Sequence, residues 1–347
     1  MRVSLTNSDR SFSAAPGQTV LEAALAAGLN LPHSCKGGSC GACRARLLRG
    51  AVTYPHGAPL GLSDAETQEG YVLLCQARAS TDLLLDAFEP RTPDAVEIKR
   101  LPGRIERVER LAHDVLAVFL KLPAAEPLSF QAGQYIDIML PGGRRRSFSI
   151  ASPPHDSRLL ELHVRRVPGG ELTERLFGAN ARGTLLSIEG PLGQFAYRPA
   201  AREVPMLMVG GGTGLAPLQS ILRHVIENGS NRRMMLYWGV RAERDLYAHR
   251  ELQGLAGRHG NFLYQPVLSE PGVDWAGRRG LVHEAVLQDL RSLDRHDIYA
   301  SGPPAMIEAV RREFALRGAD PGRLFFDYFD YAPDALERQR TMAATKS

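Results

Sequence analysis

Four cysteines constrain this chain more than any other feature. Cys35, Cys40, Cys43 and Cys75 are the only cysteines in 347 residues; four residues separate the first two, two separate the next pair, and thirty-one precede the last. The N-terminal stretch Ser4-Leu5-Thr6-Asn7-Ser8-Asp9-Arg10 lacks the basic start, apolar run and cleavage site of a secretory leader. No apolar run reaches the roughly eighteen residues that a membrane helix needs. A cytoplasmic protein is predicted, in a compartment where thiols stay reduced, so the cysteines read as metal ligands and not as disulfides.

Zinc would favour two close cysteine pairs, or a cysteine pair with a histidine pair, and only one Cys-x-x-Cys pair is present. A Rieske centre would need two histidine ligands. The spacing instead matches that of plant-type [2Fe-2S] sites, in which one compact loop supplies three thiolates and a distant element supplies the fourth. Gly37, Gly38 and Gly41 lie among the first three cysteines and let backbone N–H groups approach the sulfurs. His33, two residues before Cys35, reads as a loop residue.

The 42 basic and 38 acidic side chains are spread thinly, and no segment is basic enough to suggest nucleic acid. The proline-bearing stretch Glu89-Pro90-Arg91-Thr92-Pro93-Asp94 reads as a linker. It closes a cysteine-bearing domain over 1–91, with strands predicted at Arg2 to Leu5 and Ala45 to Leu48 and a helix from Val20 to Ala27, a β-grasp-like α+β arrangement. Over 101–200, strands predicted at 115–122, 135–140, 147–151, 159–167 and 185–189 alternate with Gly and Pro turns, and one short helix at 172–177 interrupts them. This predicts an antiparallel β-barrel. Over 203–332, apolar strands alternate with helices at 215–226, 245–255, 282–290 and 305–316, which predicts βαβ units in a doubly wound parallel sheet. Residues 333–347 form a polar tail.

Two further constellations carry chemistry. Arg144-Arg145-Arg146-Ser147-Phe148-Ser149-Ile150 opens a barrel strand; His163-Val164-Arg165 follows, and then Pro168-Gly169-Gly170-Glu171-Leu172-Thr173 opens the short helix. A helix start gathers unpaired N–H groups that suit a pyrophosphate. In the third domain, Gly210-Gly211-Gly212-Thr213-Gly214 joins a strand to a helix, Tyr237-Trp238-Gly239-Val240-Arg241 ends the next strand, and Tyr299-Ala300-Ser301-Gly302-Pro303-Pro304 ends a later one.

These motifs resemble the FAD and nicotinamide domains of the ferredoxin-NADP reductase superfamily. The resemblance implies that Arg146 pairs with the FAD pyrophosphate, that Phe148 lies against the flavin, and that Ser149 approaches flavin N5. Phe148 stands where the family usually has tyrosine. By the same resemblance Ser147, His163, Val164, Arg165, Gly169, Gly170 and Thr173 join the FAD site. Gly211, Gly212, Thr213, Gly214, Arg241, Ser301, Gly302 and Pro303 flank the dinucleotide. Ser301 replaces a frequent cysteine, and Phe329, in Phe325-Phe326-Asp327-Tyr328-Phe329, is the candidate shield of the flavin ring; Phe325 and Phe326 read equally well as core strand. A 2′-phosphate would call for a basic cluster after Trp238, where Arg241 and Arg244 instead alternate with Glu243 and Asp245, so NADH is expected.

The order of domains resembles the three-domain reductases that serve Rieske dioxygenases, phenol and methane hydroxylases, and CDP-6-deoxy-glucoseen reductase. The resemblance implies a monomeric enzyme passing electrons from NADH through FAD to a [2Fe-2S] cluster and on to an oxygenase or dehydratase component, with no nucleic acid or membrane partner. Alternatives are a flavin or quinone reductase acting on small molecules, or a redox sensor whose nicotinamide domain only regulates it.

Overall fold

The structure is a computed structural model that describes residues 1–6, 10–29, 31–33, 36–38, 41–59, 61–87, 97–156, 158–199 and 204–329. The chain divides into two compact units, one built mainly from Met1–Ile98 and the other from Lys99–Pro191 and Phe195–Phe329.

In the first unit the elements run β1 (Arg2–Leu5), β2 (Ser11–Ser13), α1 (Val20–Ala26), β3 (Arg44–Arg49), β4 (Val52–Thr53), α2 (Asp64–Gln68), β5 (Tyr71–Leu73), β6 (Arg78–Ala79) and β7 (Leu83–Asp86). A mixed sheet in the order β2-β1-β7-β3-β5 forms around the parallel β1–β7 pair, and β4 and β6 make a separate ribbon. Thr19 starts α1 through a reciprocal capping box with Glu22, and Gly28, at φ +72°, lets the chain leave it. Val20, Leu21, Ala23, Ala24 and Leu25 are the residues that α1 buries. This is the α+β, β-grasp-like arrangement expected; the strands at β2, β5 and β7 are additions to it.

The second unit begins with the barrel: β8 (Lys99–Arg110), β9 (Val115–Lys121), β10 (Tyr135–Met139), β11 (Arg145–Ser149), β12 (Leu159–Arg165), α3 (Glu171–Phe177) and β13 (Leu185–Leu192), with the sheet in the order β11-β10-β13-β8-β9-β12. Ile105, Leu120, Ile136, Leu160, Leu162, Val164 and Ile188 fill it, each at most 1% exposed. The long β8 escaped the sequence reading because its polar residues, outward-facing, interrupt any apolar run.

The nicotinamide half follows with β14 (Met206–Gly211), α4 (Leu215–Glu227), β15 (Met234–Val240), α5 (His249–Arg258), β16 (Phe262–Leu268), β17 (Arg278–Arg279), α6 (Val282–Asp289), β18 (Asp297–Gly302), α7 (Pro304–Ala315) and β19 (Leu324–Tyr328). The sheet is parallel in the order β17-β16-β15-β14-β18-β19, so the chain reverses its direction of travel between β14 and β18. Ligands of open parallel sheets bind outside the strand carboxyl ends at such a switch point. One helix starts later than expected: Asp245 does not begin α5 but caps a short turn, its Oδ2 accepting from the Ala242 N–H at 3.0 Å, and α5 starts at His249. Among the described residues, no helix is long and apolar enough to cross a membrane.

Candidate functional site

Cys43 and Cys75 are both buried and neither forms a disulfide. The Leu74 N–H donates to the Cys43 carbonyl at 3.1 Å, and the Cys75 N–H donates to Cys43 Sγ at 3.4 Å, so the strand-end turn after β5 wraps one sulfur with the backbone of the other. Lys36 at φ +53°, Gly38 at +82° and Gly41 at +69° fold the intervening loop back, and Gln76 Nε2 ties it down by donating to the Lys36 carbonyl at 2.8 Å. Two buried, unbridged sulfurs, one of them accepting a backbone N–H, fit thiolate ligands of an iron-sulfur cluster. Cys35 and Cys40 lie outside the described residues.

On the barrel, the arginine run divides by function. Arg144 pairs with Glu171 at 2.7 Å, while Arg145 pairs with Glu189 and stands 3.5 Å from fully buried Asp137. Burial opposes the Arg145 charge, and Glu189 more than restores it, so its pKa rises. Ser147 donates to Asp137 Oδ1 at 2.6 Å. Arg146 and Phe148 lie on the opposite face of β11, across from Ile138 and Ile136 in the register of β10. At α3, Gly170 is the N-cap and supplies no side-chain bond to the first turn. Thr173 closes the turn, its hydroxyl donating to the Val167 carbonyl at 3.0 Å and accepting the Val167 N–H at 3.1 Å. Val164 is core, and both ring nitrogens of His163 face protein partners, Tyr247 Oη and Glu161 Oε1, each at 3.0 Å.

In the nicotinamide half, the Gly-Gly-Gly-Thr-Gly stretch passes from β14 into α4, and Gly211 and Gly214 leave no room for a side chain. A Cβ on Gly214 would land on the Ser301 carbonyl, and one on Gly211 would meet Met306 Sδ at 2.7 Å and Pro303 Cδ at 2.8 Å. Trp238 Nε1–H donates to the Gly212 carbonyl at 2.9 Å. Arg165 reaches across from the barrel, where a Cβ on Gly212 would come within 3.1 Å of its Nη1. Ser301 is fully buried, and its hydroxyl has no partner among the described residues. An orphaned hydroxyl beside a glycine-rich turn at the switch point fits a bound dinucleotide.

Asp327 is the residue that sequence reasoning missed. It lies opposite Ser301 in the β18–β19 pairing, and its buried carboxylate accepts from the Ser149 hydroxyl at 3.2 Å. Asp327 thus bonds Ser149 of the barrel and stands beside Ser301 in the sheet, without bonding the Ser301 hydroxyl. Its only sequence signal was an acid inside an otherwise aromatic strand. The Phe329 N–H donates to the Gly302 carbonyl at 2.8 Å, which fixes the end of this segment beside the same turn. Phe325 stacks on Tyr299 with ring centroids 4.8 Å apart and belongs to the core. Asp245, one of the acids behind the NADH expectation, is buried and used as a turn cap; Glu243 is exposed.

The three modules have counterparts among known families. Residues 3–80 match the 2Fe-2S iron-sulfur cluster binding domain, 102–197 the oxidoreductase FAD-binding domain and 208–312 the oxidoreductase NAD-binding domain. The chain is 38% identical to the aromatic O-demethylase reductase subunit of an Amycolatopsis species, over 90% of this chain and 94% of that one. It is 34% identical to the CDP-6-deoxy-L-threo-D-glycero-4-hexulose-3-dehydrase reductase of Yersinia pestis, over 95% and 98% of the two chains. The crystal structure of Amycolatopsis cytochrome P450 reductase GcoB superposes with a TM-score of 0.80 at 38% identity, covering 94% of this chain and 98% of that one. With thiolates, barrel strand and glycine turn in the same order along the whole length, this chain belongs to the iron-sulfur flavoprotein reductases of the ferredoxin-NADP reductase superfamily, oxidoreductases that carry electrons from NAD(P)H through FAD and a [2Fe-2S] cluster to a partner.

Proposed function

We propose that the chain is the NADH-dependent reductase component of an oxygenase or hydroxylase. The observation that carries this reading is the 38% identity, end to end, with the reductase subunit of an aromatic O-demethylase. When bound, the flavin turns two-electron hydride chemistry into single-electron steps and the cluster forwards those electrons. The protein supplies placement. Cys35, Cys40, Cys43 and Cys75 hold the cluster. Arg146 and the Gly169–Gly170 turn receive the FAD pyrophosphate, and Phe148 packs against the flavin. Ser149, oriented by Asp327, presents its hydroxyl to flavin N5. The Gly211–Gly214 turn, Arg241 and the Ser301-Gly302-Pro303 segment seat NADH, with Phe329 shielding the flavin until the coenzyme arrives. Exposed Glu243 beside Arg241 supports NADH over NADPH. Domains over 1–91, 101–200 and 203–332, a monomer and a cytoplasmic location complete the reading.

The reading is tested by Cys75→Ser. NADH should still reduce ferricyanide through the flavin, whereas cytochrome c reduction should fall to background. Cytochrome c reduction at the wild-type rate would overturn the cluster as the exit port. A second reading, service to a deoxysugar dehydratase, is supported by the 34% identity over 98% of the Yersinia reductase. Reconstitution with an oxygenase component and with a pyridoxamine-dependent dehydratase separates the two by which one turns over.

A further inference from the structure

Strand β12 sends alternate side chains to opposite faces, and because Leu160, Leu162 and Val164 fill the barrel core, Glu161, His163 and Arg165 share the outer face. Each of the three meets a different part of the nicotinamide half. Glu161 Oε2 accepts from Arg223 Nη1 of α4 at 2.7 Å, His163 Nδ1 lies 3.0 Å from the Tyr247 hydroxyl, and Arg165 leans on Gly212. Arg223 extends the chain to Glu251 of α5 at 2.8 Å, which also accepts from Gln219 Nε2 at 3.0 Å. Tyr247 packs edge-to-face on Trp238 with centroids 5.0 Å apart, and Trp238 holds the Gly212 carbonyl.

His163 is therefore the midpoint of an unbroken path from barrel to glycine turn. In the neutral imidazole, Nδ1 accepts the Tyr247 hydroxyl across the two halves, while Nε2–H donates to Glu161 on the same strand, which in turn receives Arg223. A buried imidazole with both nitrogens paired is held in one orientation, and that is what a positioning device needs. We propose that His163 is a positioning residue for hydride transfer: the Tyr247–His163–Glu161–Arg223 chain fixes the Gly210–Gly214 turn against β12 and so indexes the nicotinamide coenzyme to the flavin domain. This rests on the reading of that turn as the coenzyme's seat, and it replaces the flavin contact that family resemblance assigned to His163.

The test uses the full-length holoenzyme. Tyr247→Phe keeps the ring against Trp238 and removes the bond to His163; His163→Leu removes both bonds, and His163→Gln offers a donor and an acceptor in their place. Anaerobic stopped-flow mixing with NADH should show flavin reduction slowed about tenfold in Tyr247→Phe and more in His163→Leu, with partial recovery in His163→Gln. FAD content should be unchanged, and NAD⁺ affinity by calorimetry should stay within about twofold, a split that loss of general stability would not produce. Hydrogen exchange in Tyr247→Phe should quicken at 161–165 and 209–214. Reduction rates within twofold of wild type in both Tyr247→Phe and His163→Leu would overturn the proposal, as would FAD loss in His163→Leu that Gln does not restore, because His163 would then be a flavin contact. Gly212→Ala tests the seat separately: unchanged NAD⁺ affinity there removes that reading and leaves the exchange data to judge the clasp alone.

Discussion

The turn that opens α3 and the turn that opens α4 both place glycines before a helix, yet they are held by different means. At Gly169–Gly170 a side chain shares the restraint: Thr173 bonds to both the carbonyl and the N–H of Val167, beside the Gly170 N–H bond to the same carbonyl at 2.8 Å. At Gly210–Gly214 the restraint is close packing, with Gly214 pressed on the Ser301 carbonyl and Gly211 on the Pro303 and Met306 side chains. A turn held in part by one hydroxyl can be loosened without being abolished. At Gly214, which bears on main chain, an added atom has nowhere to go.

The largest effect should come from Gly214→Ala. Its Cβ meets main chain that cannot rotate away, so a loss of about 3 kcal/mol or more is expected, together with loss of NAD⁺ binding. Thermal unfolding and calorimetry check this, and a near-native melting temperature would break the contrast between the turns.

Next in size is the link between the turns along β12. Burial pushes the Glu161 carboxyl up, but the His163 hydrogen bond and the Arg223 charge outweigh it and hold the pKa at about 2, against 4.5 ordinarily. A depressed acid stabilises the fold above its unfolded pKa and loses that contribution as pH falls through the folded value. Up to about 3 kcal/mol should therefore disappear between about pH 4.5 and 2. Glu161→Gln should flatten this window in denaturant titrations run at several pH values; an unchanged pH slope in that variant would refute the assignment.

Smaller still, Thr173→Val should cost about 1 kcal/mol and lower FAD retention, because it takes the partner from the half-buried Val167 N–H. Smallest is Ser301→Ala. The Ser301 hydroxyl has no partner among the described residues while its carbonyl bears on Gly214, so stability of the cofactor-free protein should change by less than about 0.5 kcal/mol. If Ser301→Ala proves the more damaging of the two, the hydrogen-bond and close-packing labels on the turns must be exchanged.

Much of this was legible before any coordinates. The α1 helix was readable from Val20 to Ala27 and its Gly28 terminator, because helix termination is local chemistry. The parallel sheet was readable because strands buried on both faces, such as Met206 to Val209, are uniformly apolar. The barrel was visible in outline but not at β8, whose one-sided burial leaves a mostly polar string. Motifs placed Ser149, Ser301 and the glycine turn at the site. They did not place Asp327, which matters only because β19 pairs with β18 in a register that sets it against Ser301 and within reach of Ser149.

Thiolate spacing, glycine turns and the alternation of strand and helix determined the modules and their cofactor chemistry, since these depend on residues near one another in sequence. The tertiary structure alone decided which polar groups remain for that chemistry. It drew Arg145 to Asp137 and Glu189, turned Asp245 into a cap and gave both nitrogens of His163 to Glu161 and Tyr247. The physical reason is that a buried polar group must find a partner, and when that partner is far away in sequence, only the folded chain names it.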